Sequence, residues 1–196
     1  MFEISDAKKI ARSLVAFANT DGGRLLVGVK DNGIIAGVRS EEEAYMIETA
    51  AHIFCKPEVE FTTTMHTVEG RIVVEVLVEK SLIRPHYAPG KEDKWTAYIR
   101  VKDENLIANK VIQLVWKRLS NPNGVYLKYT DSEKQLLGYI EEFGPVTFSK
   151  ACRVAKVSKN KTENMLANFI ALGILDPVFK DQQVAYGLKT IGNFTY

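Results

Sequence analysis

Apolar residues at Ala7, Ile10, Ala11, Leu14 and Ala18 recur at three- and four-residue intervals, with Lys8, Lys9 and Arg12 between them. That period predicts an amphipathic helix over residues 5–18 with one buried stripe. Gly22 and Gly23 end it. "RLLVGVKD" (24–31) is short, apolar and partly β-branched, as a buried strand is, and Asp31-Asn32-Gly33 accept the positive φ of a tight turn. "IIAGV" (34–38) then returns as the partner strand. Ser40 and Glu43 form a capping box for a helix that runs to Cys55, because Pro57 cannot continue it. "VEFTTTMH" (59–66) and "RIVVEVLVE" (71–79) flank a Val-Glu-Gly turn and predict a second hairpin. After a loop at 80–94, "WTAYIRVKD" (95–103) reads as a fifth strand and "LIANKVIQLVWKRLS" (106–120) as a helix with a wide apolar face. Hairpins interleaved with only three helices predict a mixed sheet, not a strictly alternating parallel one.

"NPNG" (121–124) contains turn formers only, and the pattern changes after it. Thr130 and Glu133 make a capping box for a helix ending at Gly144, and "TFSKACRVAKV" (147–157) is a short second helix. Ser158 caps a third, with Met165, Leu166, Phe169, Ile170 and Leu172 as its core stripe and Gly173 at its end. "ILDPVFKDQQVAYGLK" (174–189) offers two short strands around a polar turn. Three helices followed by a hairpin is the layout of a winged helix-turn-helix. The expected fold class is therefore α+β. A mixed α/β sheet domain would occupy 1–120, a linker 121–129 and a winged helix-turn-helix 130–196.

Composition narrows the picture only a little. A hydrophobic share of 46% and a charged share of 26% are those of a folded, soluble protein. Cys55 and Cys152 stand far apart with no paired His or Cys spacing, so reduced structural thiols and no metal site are expected. No apolar run approaches the roughly 20 residues that span a bilayer, and "MFEISDAKK" has no apolar signal core, so a cytoplasmic protein with no membrane partner is expected. A net charge of +2 excludes no partner class, but positions 143–162 hold five basic residues and no acid. Such a local field suits a polyanion.

In a helix-turn-helix the second helix presents its N-terminal residues to base edges, and Lys and Asn suit guanine and adenine. Lys150, Arg153, Lys156, Ser158, Lys159, Asn160, Lys161 and Asn164 are thus the expected contacts to double-stranded DNA, and Asn168 also points away from the core stripe. Lys180, Gln182 and Gln183 at the hairpin tip can add backbone contacts or serve simply as a soluble turn. Since the basic excess is small, a homodimer that doubles the contacts is expected. Winged helices also act as protein-interaction modules, and the same residues allow that.

The Asn19–Arg24 corner, "NTDGGR", raises a second possibility. It lacks the G-x-x-x-x-G-K-[ST] of a P-loop, and its glycines precede a strand, unlike a dinucleotide fingerprint. Turn chemistry accounts for Gly22 and Gly23, yet unshielded amides beside Arg24 can also hold an anion. His52 and His66 read as packing or surface residues, His86 as structural or, with Arg84 and Tyr87 on its loop, as facing an anion, and Trp95 and Trp116 as core anchors of the first domain, with base stacking open to Trp95. No catalytic triad can be assembled from the spacing.

The string "SLVAFANTDGGRLLVGVKDNGIIAGV", followed by "YIRVKDEN", resembles the Schlafen-type Alba domain over roughly residues 5–108. The resemblance implies an α/β domain involved in nucleic-acid or nucleotide binding, often fused to a helix-turn-helix in bacterial regulators, and many members carry an ATP-binding label. It raises Asn19, Asp21, Gly22, Gly23, Arg24 and Asp31 to candidates for that binding. Some members cleave RNA with three acids, two on a strand before the first helix and one matching Asp31. Bacterial relatives carry an acid-Phe-Lys segment ahead of the helix, whereas this sequence runs Met1-Phe2-Glu3. One aspartate would hold magnesium poorly, so no catalytic residue is assigned. The expectation is a DNA-binding transcriptional regulator with no resident cofactor, a nucleotide being the one candidate. The alternative is a nucleotide-binding or RNA-processing enzyme built on Asp31 and the Gly-Gly corner.

Overall fold

The computed structural model describes residues 7–38, 41–180 and 183–189, and it divides into two compact units, Met1–Ala108 and Asn109–Tyr196. The division lies twelve residues or so before the Asn-Pro-Asn-Gly turn, at about the start of the helix that the sequence assigned to the first domain.

In the N-terminal unit, α1 (Ala7–Asn19) and α2 (Glu41–Ile53) accompany strands β1 (Gly23–Val27), β2 (Thr62–Val68) and β3 (Arg71–Val78). The strands form one antiparallel sheet in the order β1-β3-β2, not the mixed sheet expected, because β2 and β3 join in a tight hairpin and β1 runs against β3. Two smaller ladders complete the unit: β4 (Ala88–Pro89) with β5 (Trp95–Thr96), and β6 (Tyr98–Val101) with β7 (Glu104–Ile107). The Ser40 cap expected for α2 lies outside the described residues.

The amphipathic reading of α1 holds for its first turns only. Lys8 pairs with Asp93 at 2.7 Å, and the Arg12 Nε–H donates to the Pro89 carbonyl at 2.7 Å. From Leu14 to Asn19 every residue is buried, because the helix passes through the middle of the unit. Its small side chains (Ala11, Ala16, Ala18) permit that close approach. The core joins Leu14, Val15 and Phe17 to Val74, Val76 and Val78 of β3 and to Ile47, Ala50 and Ala51 of α2.

The β2–β3 hairpin forms as the sequence indicates. Glu69 (φ 52°) and Gly70 (φ 73°) make a two-residue turn with both residues left-handed, the arrangement that matches strand twist. The first expected hairpin is present only as a short one, the Val29–Ile35 bridge with the Lys30 N–H to the Ile34 carbonyl, and along its length β1 pairs with β3. Gly28 takes φ 94°, and its carbonyl accepts both the Ala36 and Gly37 N–H, so the chain leaves the ladder there. The expected fifth strand is also divided, and Leu106–Ile107, read as helix, pair in β7 with β6.

The C-terminal unit contains α3 (Lys110–Leu119), α4 (Asp131–Phe143), α5 (Phe148–Ala155) and α6 (Lys159–Ala171). With them is a three-stranded antiparallel sheet of β8 (Val146–Thr147), β9 (Leu175–Lys180) and β10 (Gln183–Leu188), in the order β8-β10-β9. Asn109 starts α3 by accepting the Ile112 N–H on its side chain, and the Thr130–Glu133 capping box starts α4. The core gathers Val115, Leu136, Ile140, Leu166, Phe169, Leu175 and Tyr186. Burial raises the Tyr186 phenol above its ordinary value, and Glu163 adds to this, against a lowering hydrogen bond from Asn109. Of the expected α6 stripe, Leu172 is exposed, since it follows the last helical turn as the C-cap.

Candidate nucleic-acid interface

The basic segment 143–162 folds into α5, a three-residue turn and the start of α6. Thr147 caps α5 by accepting the Lys150 N–H at 3.3 Å, and the Ser158 side chain accepts the Lys161 N–H at 3.4 Å. Between them Lys156 adopts a left-handed conformation (φ 53°) and ends α5 through its N–H to the Cys152 carbonyl. This turn puts the outer side of α5 and the first turn of α6 close in sequence. Arg153, Lys156, Ser158, Lys159, Asn160 and Lys161 are all exposed. Lys150 differs: its ammonium lies 4.7 Å from the centre of the Tyr139 ring, a cation–π contact. Among the described residues none of the five cations pairs with a carboxylate.

Asn164 is not displayed as expected. Its side-chain amide donates to the Asn160 carbonyl at 2.8 Å and to the Asn160 Oδ1 at 2.7 Å. Its own Oδ1 accepts from Arg118 of α3 at 2.6 Å. The Arg118 Nε–H donates to Asn168 and one Nη to the Leu114 carbonyl at 3.1 Å. The physical reason is that α3 lies along this side of α6, so Asn164 and Asn168 fasten two helices together. Desolvation lowers the Arg118 pKa. Its partners lie about fifty residues away in sequence, and no local pattern announces them. Lys180 and Gln183 are exposed at the ends of the last hairpin, while Gln182 lies outside the described residues.

At the Gly-Gly corner the candidates separate. Asn19 is 2% exposed. Its Nδ2 donates to the His86 and Tyr98 carbonyls, each at 2.9 Å, and its Oδ1 accepts the His86 N–H at 2.8 Å. Every one of these bonds goes to backbone, so the side chain ties α1 to the 80–89 loop and to β6. The next residue continues the device: Thr20 Oγ1 accepts the Arg100 N–H at 2.9 Å. Gly22 and Gly23 are fixed by contact. A Cβ on Gly22 would stand 2.7 Å from the Val78 carbonyl oxygen, and one on Gly23 would stand 2.3 Å from the Phe17 ring.

The charged members face solvent. Asp21 pairs with Lys80 at 2.7 Å, and Arg24 pairs with Glu75 at 3.2 Å. Glu75 also meets His66 at 2.8 Å, which makes an Arg24–Glu75–His66 row across the outer face of the sheet. Glu75 and His66 were not expected there as a pair with Arg24. Their signal was the two-residue strand period, but pairing register is needed to bring the three together. Asp31 is exposed at the tip of the Lys30–Gly33 turn, where the Gly33 N–H bonds to the Lys30 carbonyl. Glu3 lies outside the described residues. Among the described residues no three His, Cys, Asp or Glu side chains are grouped to hold a metal ion.

A second polar site lines a cavity of about 610 Å³ beside the 80–89 loop. There His86 Nδ1 is 2.9 Å from the Pro57 carbonyl and Nε2 is 2.7 Å from Ser81 Oγ. The carbonyl can only accept, so Nδ1 donates to it. His86 thereby pins the loop from inside.

Comparison with known proteins follows this division. The family model described as "Schlafen, AlbA_2" matches residues 2–109, the N-terminal unit. No curated protein matches the chain. Among solved structures, the DIP2311 protein from Corynebacterium diphtheriae is 17% identical over 91% of this chain, with a TM-score of 0.45. This chain spans only 29% of that protein's length. No helix among the described residues is long and apolar enough to cross a membrane.

Proposed function

The chain belongs to the Schlafen, AlbA_2 family, and from that premise we propose that it binds double-stranded DNA through its C-terminal unit, read as a winged helix-turn-helix, and acts as a transcriptional regulator. The supporting observation is the set of exposed cations at Arg153, Lys156, Lys159 and Lys161, with no acid in the interval and no carboxylate partner among the described residues. Lys159 and Lys161 sit in the first turn of α6, where the helix dipole is positive. Cations there cost roughly 0.3–1 kcal/mol each, so the sequence carries them against local stability. A polyanion offsets that cost. In this reading α6 enters the major groove by its first turn, Asn160 reaches a base edge, and α5 and Lys156 lie on phosphates. Asn164 and Asn168 hold the helix in place through Arg118. The β9–β10 hairpin serves as the wing.

The test is a duplex titration by fluorescence anisotropy at two salt concentrations. The wild type should show binding that weakens with salt, by about one unit of log–log slope per phosphate contact. The Lys159→Glu/Lys161→Glu double variant should lose binding while its far-UV circular dichroism stays unchanged and its melting temperature does not fall, because neither side chain is in the core and carboxylates suit the first helical turn. Duplex affinity equal to that of the wild type would remove α6 from the interface. A role in nucleotide or RNA processing predicts instead that Asp31→Ala abolishes a nucleotide-binding or cleavage activity that the double variant retains.

A further inference from the structure

The edge of the N-terminal sheet has a property that neither the family assignment nor the DNA reading uses. β2 is the outermost strand, and all seven of its residues, Thr62–Val68, are exposed. Among the described residues no other strand pairs with its free side. Edge strands are ordinarily protected from pairing by Lys, Pro, a bulge or shortness. "TTTMHTV" has no lysine, no proline and no carboxylate, and its seven-residue register with β3 runs without a bulge.

The register states which backbone groups are free. A two-residue turn closes on a hydrogen-bonded pair, here Val68 with Arg71. By alternation, Val68, His66, Thr64 and Thr62 direct their backbone groups to β3, and Thr67, Met65 and Thr63 direct theirs outward. The neighbouring strand agrees: the Ile72 carbonyl, opposite Thr67, turns away from β2 and accepts the Val38 N–H at 2.7 Å. Three N–H and three C=O groups therefore form an open row centred on Met65.

We propose that this edge pairs with the same edge of a second copy of the chain, antiparallel and two-fold about Met65, to give a continuous six-stranded sheet. The edge is complementary to itself. Met65 meets the partner's Met65, and Thr63 meets the partner's Thr67, with six backbone hydrogen bonds between them. On the opposite face His66 stands against the partner's Thr64, so no like charges are opposed. Met65, 74% exposed, and Ile72, 49% exposed, are the apolar groups that the pairing covers. The row of unpaired donors and acceptors and the absence of edge charge select a second copy over a partner recognised by charge. The proposal stands independently of DNA binding.

Mass in solution and cross-linking test it. Light scattering after size exclusion should give a dimer for the full chain. Met65→Lys, which puts a charge on the two-fold axis, should give a monomer with unchanged circular dichroism. In a Cys55→Ala/Cys152→Ser background, Met65→Cys should form a disulfide dimer on mild oxidation, since hydrogen-bonded pairs place Cα atoms about 5.5 Å apart. Thr63→Cys and Thr67→Cys should cross-link when mixed and not singly, because each lies about 13 Å from its own copy in this register. A monomeric wild type, a dimer that survives Met65→Lys, or single variants that cross-link as well as the mixture would each overturn the proposal. The cross-linking pair decides it even where the lysine variant fails to fold.

Discussion

Asn19 is the sharpest point at which a binding role and a structural role part company. Its side chain satisfies the His86 N–H and carbonyl and the Tyr98 carbonyl. Tyr98 and Arg100 lie at positions of β6 that face away from β7, so Asn19 and Thr20 stand where a neighbouring strand would. Asn19→Ala leaves three buried backbone groups without partners. Each such group costs about 1–3 kcal/mol, and water entering the vacated space recovers part. We expect the N-terminal unit to lose about 3–5 kcal/mol, a large share of the roughly 5–15 kcal/mol that holds a domain folded. With a urea slope of about 1–3 kcal/mol per molar, the midpoint falls by about 2 M. Two units need separate probes. Trp95 lies in the first and Trp116 in the second, so fluorescence in a Trp116→Phe background follows the N-terminal unit alone. Asn19→Asp should do no better, because a carboxylate cannot donate to two carbonyls. A midpoint shift below about 0.5 M would refute the reasoning. Loss of nucleic-acid or nucleotide binding at unchanged stability would return Asn19 to the binding site.

Two further perturbations separate contact from conformation and burial from reactivity. Gly23→Ala forces a methyl into the Phe17 ring and should destabilise the N-terminal unit by about 1–3 kcal/mol. Gly33→Ala meets nothing within 4 Å but sits at φ 81°, and should cost only about 1 kcal/mol. Equal urea midpoints for the two would contradict the packing account. Burial pushes the Cys55 thiol up to about 12, so iodoacetamide at pH 8 should label Cys152 and leave native Cys55 unmodified, as read by peptide mass spectrometry. The raised value also means that the unfolded thiol ionises first, so Cys55 subtracts stability as pH rises from 9.0 toward about 12. Fast labelling of Cys55 in the folded protein would show that the thiol is not enclosed.

What the sequence made legible was local. The Glu69-Gly70 turn, the Thr130–Glu133 capping box and the Ser158 cap each announce themselves within a few residues and are present, while the periodicity of α1 holds for its first turns. The failures share a cause. "IIAGV" has the composition of a strand, but with Gly28 at positive φ its pairing is limited to the Val29–Ile35 bridge and the bonds beside it. Leu106 and Ile107 have the period of the following helix, yet the Lys102–Asp103 turn pairs them with β6, and Asn109 caps the helix only after them. At the Gly-Gly corner, the family resemblance grouped residues whose surroundings differ, because burial and partners are set by elements distant in sequence. Asn19 and the glycines serve packing, and Asp21, Arg24 and Asp31 face solvent.

An element distant in sequence, α3, changes which side chains α6 can offer. Helical spacing alone puts Asn160, Asn164 and Asn168 on one side, as a row of base-reading amides. Arg118 reaches that side from α3 and takes the oxygens of Asn164 and Asn168, while Asn164 binds back to Asn160. Three apparent readers reduce to the first turn, where Asn160 stands beside Lys159 and Lys161. On the proposed DNA reading, an interface confined to that turn would offer few base contacts and a larger number of phosphate contacts. Affinity should then depend strongly on salt and only modestly on sequence. Any sharper preference would need base contacts beyond this turn.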